Sequence, residues 1–359
     1  MPQEVQERQA SSDQRESSGG WAPSSVDQVT VKRDGWQPIL ALMVLAPLLA
    51  EVFSGSMPVT MFLQPGMFLA FTIFVYGLPI LVLREVAVRR GYGLLGLFAL
   101  GMIYGLFNEG LISETLYHPL DPHDPTYADY GLVAGLRIPL MSYLLPWHGL
   151  FSMITPVLVV DLLFPRKAGQ PWLPTRALWV LGVVTGGLGL ARFLLWGDDR
   201  AQAGGTFVIH LAVVLGVAAL VWAGARRLPR TPVPATQYGF AWRDVAAGMG
   251  VYAGVLLGVQ ILAGVVTAPW PLTVLYGALA VATAMWAVGR RQAVARSRAV
   301  AFVLGAGLAQ AAVTVLVVGA LTGDTVRAVT GAVITMAYLA ALVGIRASHR
   351  RGVREPAAG

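Results

Sequence analysis

Cysteine is absent from this 359-residue chain. Disulfides, thiolate nucleophiles and thiolate metal sites are thereby excluded. Charge is scarce as well: 13% of residues are Asp, Glu, Lys or Arg, about half the share of a soluble domain. Lysine is nearly missing, at Lys32 and Lys167 only, so arginine carries almost all the positive charge. No aromatic-basic interleaving of the kind that stacks nucleic-acid bases is present. What fills the space is apolar: 56% of the residues are hydrophobic. Such a chain is a polytopic membrane protein, and its partner is the lipid bilayer. The net charge of +7 follows from basic residues collecting in cytoplasmic loops, which is a topology signal and not a nucleic-acid one. The Arg bias, together with abundant Ala, Gly and Val, points to a bacterial plasma membrane.

Residues 1–34 are rich in Gln, Ser and Glu and are expected to be a disordered cytoplasmic tail. No apolar core follows a basic start, so no cleaved signal peptide is expected. A spanning helix needs roughly 20 mostly apolar residues. Ten stretches qualify, at about 36–53, 66–83, 93–117, 139–164, 176–196, 205–225, 244–266, 271–288, 299–321 and 326–346. Proline clusters punctuate them, at Pro58 and Pro65, Pro119 to Pro125, Pro171 and Pro174, Pro229 to Pro234, and Pro269 and Pro271. With both termini in the cytoplasm, only Arg137, Arg192, Arg200 and Arg327 of the 26 basic residues fall outside. The expected fold is an all-α transmembrane helix bundle. Residues 35–225 carry the polar groups, 226–348 form a scaffold of Ala-, Val- and Gly-rich helices, and 349–359 are a second cytoplasmic tail.

Ionisable groups inside apolar spans are costly and need partners or a water-filled cavity. They concentrate between Tyr104 and Asp161. Gly101, Gly105 and Glu109 are spaced i, i+4, i+8, so small residues that admit a neighbouring helix share a face with a carboxylate. Glu109 lies about 12 Å below the outer end of helix three, counted from Tyr117 at 1.5 Å per residue. His148 reaches a similar depth in helix four, so contact between the two is expected. His148, Ser152 and Thr155 follow i, i+4, i+7 and form one polar stripe, bracketed by Pro146 and Pro156. Asn108 adjoins Glu109. Glu51, Arg192 and His210 fall in the outer third of helices one, five and six, and Arg192 is expected to pair with Glu109 or Glu51.

Blander assignments stand beside these. Glu109 and His148 can be a structural clasp between helices. Glu51 and Glu114 can simply face outer water. Arg84 and Glu85 read as an interfacial pair flanking helix two, and Asp161 as an inner-boundary residue near Arg166 and Lys167. The loop holding His118, Asp121, His123 and Asp124 has metal-type ligands but no recognised ligand spacing, so no metal is expected there.

Leu83-Arg84-Glu85, Tyr104-Gly105-Leu-Phe-Asn108-Glu109-Gly110-Leu, His148 with Ser152, and Asp161-Leu-Leu-Phe-Pro165 resemble an uncharacterised family of bacterial multi-pass membrane proteins. The likeness covers about helices one to five and implies a shared fold without an activity. More distantly, a glutamate helix followed by a helix with a membrane histidine is similar to the CPBP (Abi/CAAX-type) intramembrane proteases. That family has a Glu-Glu pair and a downstream Arg, where this chain has Asn108-Glu109 and Ser113.

Two functions fit. One is a binder or permease whose pocket of Glu51, Glu109, His148, Ser152, Arg192 and His210 takes a small polar or lipid-derived ligand, with protons exchanged at Glu109 and His148. The other is a membrane-embedded hydrolase with Glu109 as general base, His148 assisting and Asn108 as oxyanion donor. The missing second carboxylate beside Glu109 favours the first.

Overall fold

The computed structural model describes residues 35–117, 131–133, 136–195, 206–228, 240–265, 270–271, 273–279, 282 and 293–354. The helices are α1 (Trp36–Val52), α2 (Pro65–Arg90) and α3 (Leu94–Ile112), then α4 (Ile138–Leu163), α5 (Thr175–Leu195) and α6 (Thr206–Ala225). Further along are α7 (Trp242–Val265), α8 (Ala293–Gln310, continuing as Ala311–Val317 and Val318–Thr322) and α9 (Thr325–Arg354). A short hairpin of β1 (Leu132–Val133) and β2 (Leu136–Arg137) precedes α4, with Val133 opposite Leu136. Among the described residues six helices are long and apolar enough to cross a membrane, and α1 and the Leu211–Ala225 part of α6 are shorter apolar helices. The fold is thus a helical membrane bundle. Residues 1–34 and 355–359, the loop with His118 to Asp124, and half of the eighth stretch lie outside the described residues, and the first part of the expected C-terminal tail continues α9 as helix to Arg354.

Its exterior is apolar. Trp179, Val180, Val183 and Leu195 stand exposed along α5, and Val326, Val329, Val333 and Met336 along α9. In water such faces would be a liability; in hydrocarbon they cost nothing. The core lies where the first four helices meet. Leu42 and Ala46 of α1, Tyr76, Ile80 and Leu81 of α2, Leu100 and Tyr104 of α3, and Met153, Val157 and Val160 of α4 form one buried cluster. A second cluster joins Ile154 and Leu158 of α4 to Val300, Leu304 and Leu308 of α8 and to Tyr338 and Leu342 of α9. Helix α4 therefore stands between the two layers.

Glycine decides how closely α3 and α4 approach. A Cβ on Gly101 would lie 2.6 Å from the Gly149 Cα, so the two backbones touch there. One turn on, Gly105 faces the His148 side chain, with its would-be Cβ 3.1 Å from Cδ2. The i, i+4 spacing thus delivers the imidazole against α3.

All four helices widen where they pass the polar groups. Leu48–Val52 in α1, Ala70–Val75 in α2, Asn108–Ile112 in α3 and His148–Ile154 in α4 are π-turns. Their signature is the i→i−5 bond: Phe53 N to Leu48 O at 3.1 Å, Tyr76 N to Phe71 O at 3.1 Å and Ser113 N to Asn108 O at 2.8 Å. Proline contributes, since it lacks an N–H and cannot close an ordinary turn: Pro47 precedes the first of these turns, and Pro146 and Pro156 flank the fourth. The second is sealed by Gly77, whose would-be Cβ falls 1.7 Å from the Thr72 carbonyl oxygen, a position that admits no side chain. Such single widened turns occur frequently at functional sites.

Candidate functional site

At the end of α3, the π-turn aims Asn108 and Glu109 inward, and both are buried. From α4, His148 and Ser152 point back toward them, each fully buried. His148 Nε2 lies 2.7 Å from Glu109 Oε1, and His148 Nδ1 lies 2.7 Å from Ser152 Oγ. An ionised carboxylate can only accept, so with Glu109 charged the Nε2–H donates to it and the Ser152 hydroxyl donates to Nδ1. Adding a proton turns Nδ1 into a second donor. The ring is held on its faces as well, with Tyr104 edge-on at 5.3 Å and Trp147 edge-on at 4.9 Å.

Glu109 is saturated. Its Oε1 also receives the Asn108 amide at 3.3 Å. Its Oε2 accepts the Ser113 hydroxyl at 3.2 Å and the Thr115 hydroxyl. Four donors in all offset the cost of burying a charge within a span.

On the α1 side, Glu51 is only partly buried. Tyr76 donates its hydroxyl to Glu51 Oε1 at 2.5 Å, and Asn108 Nδ2 approaches the same Tyr76 oxygen at 3.5 Å. A line of polar groups therefore runs Glu51, Tyr76, Asn108, Glu109, His148, Ser152, with one long joint between Tyr76 and Asn108. Each carboxylate and the imidazole sit on a widened turn, and Tyr76 directly follows one.

The turn after α3 closes over this line. Glu114 has a φ of +59°, a left-handed conformation that costs a non-glycine residue about 1–3 kcal/mol. The reversal folds Thr115 back onto Glu109. Arg137 Nη1 donates to the Thr115 carbonyl at 3.3 Å, and the Arg137 N–H donates to the Leu116 carbonyl at 3.0 Å. Burial and the neighbouring Glu114 push the Tyr117 hydroxyl up from its ordinary pKa, so it stays protonated.

Several expectations need correction. Arg192 pairs with Glu114, Nη1 to Oε1 at 3.3 Å, and with neither Glu109 nor Glu51. Counting residues singles out Glu51 and Glu109 as partners; the left-handed Glu114 is what turns its own carboxylate toward α5. Glu114 is correspondingly buried and does not face water. Arg84 and Glu85 are no interfacial pair either: both are completely buried within α2, 2.8 Å apart. Asp161 faces Arg84 at 3.7 Å. The His210 side chain lies outside the described residues. Tyr76, Tyr104, Ser113 and Thr115 are site residues that the sequence pattern did not single out. Tyrosines in spans are ordinarily read as interfacial anchors, and the Ser-Glu-Thr run looks like any helix exit.

A cavity of about 170 Å³ shares Trp147 with this site as a wall. Phe98, Pro146, Leu150, Phe151 and Tyr252 line it further, so it is almost wholly apolar. Among the described residues no three His, Asp or Glu side chains cluster as a metal site would need. Chemically, the line from Glu51 to Ser152 has the groups to store and pass a proton, and its carboxylate and imidazole can bind a polar group once the closing turn moves aside.

A family model described as an uncharacterized membrane protein family matches residues 40–346. No curated protein matches the chain, and no solved structure does.

Proposed function

The chain belongs to this uncharacterised membrane protein family, and we propose that it is a proton-linked binder or permease for a small polar or lipid-derived ligand. The observation that carries the reading is the buried line from Glu51 to Ser152, built on widened turns of four adjacent helices. A structural clasp needs one carboxylate and one partner. Here two carboxylates, an imidazole, an amide and two hydroxyls are connected, at a level where each uncompensated group costs several kcal/mol. Histidine changes charge in the range where cells operate, so ligand and proton can be exchanged at one place. In this reading the closed turn over Glu109 marks an occluded state. The apolar cavity behind Trp147 takes any hydrocarbon part of the ligand.

The setting completes the proposal. Ten spans place both termini in the cytoplasm of a bacterium and the Glu51 to Ser152 line toward the outer face of its plasma membrane. α1 and α6 to α9, with the stretch at 271–288, are counted as spans alongside the others. Residues 35–225 carry the site and 226–348 brace it.

The test is thermal unfolding of the purified protein against a panel of amino acids, short carboxylates and lysophospholipids, between about pH 5 and 8. At least one class is expected to raise the unfolding temperature in a pH-dependent way, and Glu109→Gln to remove that dependence. A panel with no pH-dependent response contradicts the reading.

One observation favours a second reading. Glu109, His148 and Ser152 stand in carboxylate–imidazole–hydroxyl order at 2.7 Å spacings, and the chain is distantly similar to the CPBP intramembrane proteases. Hydrolysis would use Glu109 as base and Asn108 as oxyanion donor. It requires a water at Glu109, whose two oxygens are already met by four side chains. Turnover of a membrane-anchored peptide or ester that disappears in Glu109→Gln would establish this reading over the first.

A further inference from the structure

Nearer the other end of α2 and α4 lies a second polar cluster. Arg84 is fully buried inside a helix that can span a membrane. Its guanidinium is pinned from one side. Nη1 donates to Glu85 Oε1 at 2.8 Å and to the Gln170 carbonyl at 2.6 Å. The Trp172 ring covers a face, 3.5 Å from Cζ to the ring centroid. Glu85 is in turn fixed by the Trp172 and Leu173 N–H groups, at 2.8 and 3.3 Å. The opposite edge of the guanidinium, Nε and Nη2, meets no hydrogen-bond acceptor among the described residues. Asp161 Oδ1, 3.7 Å from Nη2, is too distant for a hydrogen bond and meets no donor there. Both side chains line one cavity of about 50 Å³, with Ala87, Leu97, Val157 and Leu158 among its walls.

A buried donor or acceptor left unmet costs about 1–3 kcal/mol, and more when charged. Three such atoms around one space are costly unless something fills it. A water needs roughly 10–15 Å³ by this measure, so the cavity holds about three. Whatever enters must accept from the guanidinium edge and donate to the carboxylate at the same time. A bare anion meets Asp161 unfavourably and a bare cation meets Arg84 unfavourably. A neutral hydroxyl or amide, a zwitterion, or water satisfies both.

We propose that the Arg84–Asp161 cavity is a solvated vestibule: a second polar site, open to one aqueous face, for a small solute that both donates and accepts hydrogen bonds. Along α4 it lies nine residues from Ser152, about 13 Å at the helical rise. Leu100, Tyr104, Met153 and Val157 fill the interval, each almost fully buried. The molecule thus has two polar sites separated by an apolar plug. Resting on the permease reading, the vestibule is where the solute held at Glu109 and His148 leaves or arrives on the opposite side.

The chain has no cysteine, so single cysteines report cleanly. Leu158→Cys and Ala87→Cys place thiols on the cavity wall. Val160→Cys and Leu100→Cys place them in the core away from it. Each variant is checked for a monodisperse, intact protein, then exposed to a small zwitterionic methanethiosulfonate in sealed vesicles of both orientations. The wall thiols are expected to react at least about tenfold faster than the core thiols, and from one face only. Ala87→Cys, which adds little volume, serves if Leu158→Cys does not fold. Equal rates for wall and core thiols, or no reaction at either wall position, overturn the vestibule. Labelling does not depend on Glu109. A wet vestibule with no pH-linked ligand binding therefore sinks the permease reading alone, and the reverse result sinks the vestibule alone.

Discussion

The Glu109 and Arg84 clusters bury ionisable groups in the same pair of helices' surroundings, yet they are finished differently. At the Glu109 site both carboxylate oxygens are met and the imidazole is engaged at both nitrogens, while Asn108 Oδ1 meets no donor among the described residues. At the Arg84 site one edge of the cation is pinned and the other edge faces a cavity. The first arrangement meets its charge with the protein's own groups. The second leaves room and calls for a mobile partner. Burial alone, which is nearly complete in both, does not distinguish them; the count of satisfied donors and acceptors does.

The sharpest way to break this comparison is to remove the pinned cation. Arg84→Leu leaves Asp161 without its counter-ion and Glu85 with Arg89 alone, 3.6 Å away, and is expected to cost about 3–5 kcal/mol, read from the denaturant midpoint. A loss below about 1 kcal/mol would mean that water already solvates the carboxylates and the pair is no anchor.

At the Glu109 site, Glu109→Gln keeps a polar group facing His148 and discards the charge. A smaller loss is expected, about 1–3 kcal/mol, because the neighbouring hydroxyls can turn to donate or accept. If it equals the Arg84→Leu loss, the line from Glu51 to Ser152 is a structural clasp and the contrast between the clusters collapses.

Gly101→Ala tests what brings α3 and α4 together. Its Cβ would sit 2.6 Å from the Gly149 Cα, so the helices must part. About 1–3 kcal/mol is expected, together with weakened pH dependence as His148 withdraws from Glu109. Unchanged stability would show that the bundle repacks freely there.

The smallest effect is expected at Arg192→Gln. Its side chain is 35% exposed, so losing the ion pair to Glu114 costs at most about 1 kcal/mol. The informative readout is proteolytic or hydrogen-exchange protection of residues 113–117, which should fall because the strained turn loses a tether. Unaltered protection would place the closing force in Arg137 alone.

Much of the helical layout was legible from hydropathy and proline placement, because lipid demands long apolar runs. Some helices begin and end close to the stretches that composition marks, as at Ile138–Leu163 and Thr175–Leu195, whereas α2 runs on to Arg90 and α9 to Arg354 because charged residues can extend a helix beyond its apolar run. The Glu109 to His148 contact was legible too, since equal depth and a glycine face on consecutive antiparallel helices leave little choice. What stayed hidden has physical causes. The left-handed backbone at Glu114 has no signature in the sequence, so its burial against Arg192 was not legible. Tyr76 carries no periodic signal in an apolar run. Arg84 and Glu85 sit near a helix end in the sequence, and only the chain from Lys167 to Leu173 folding over them shows that they are buried.

The central claim is that Glu109 and His148 exchange a proton with the surroundings although both are buried. Infrared difference spectroscopy across a step between about pH 5 and 8 reads this directly. The Glu109 carboxylate stretching bands should shift on acidification as the proton enters at His148, and that shift should vanish in Glu109→Gln and change in Ser152→Ala, which releases the far nitrogen of the imidazole. A spectrum unchanged between wild type and Glu109→Gln would contradict the claim and leave the pair as a fixed brace between two helices.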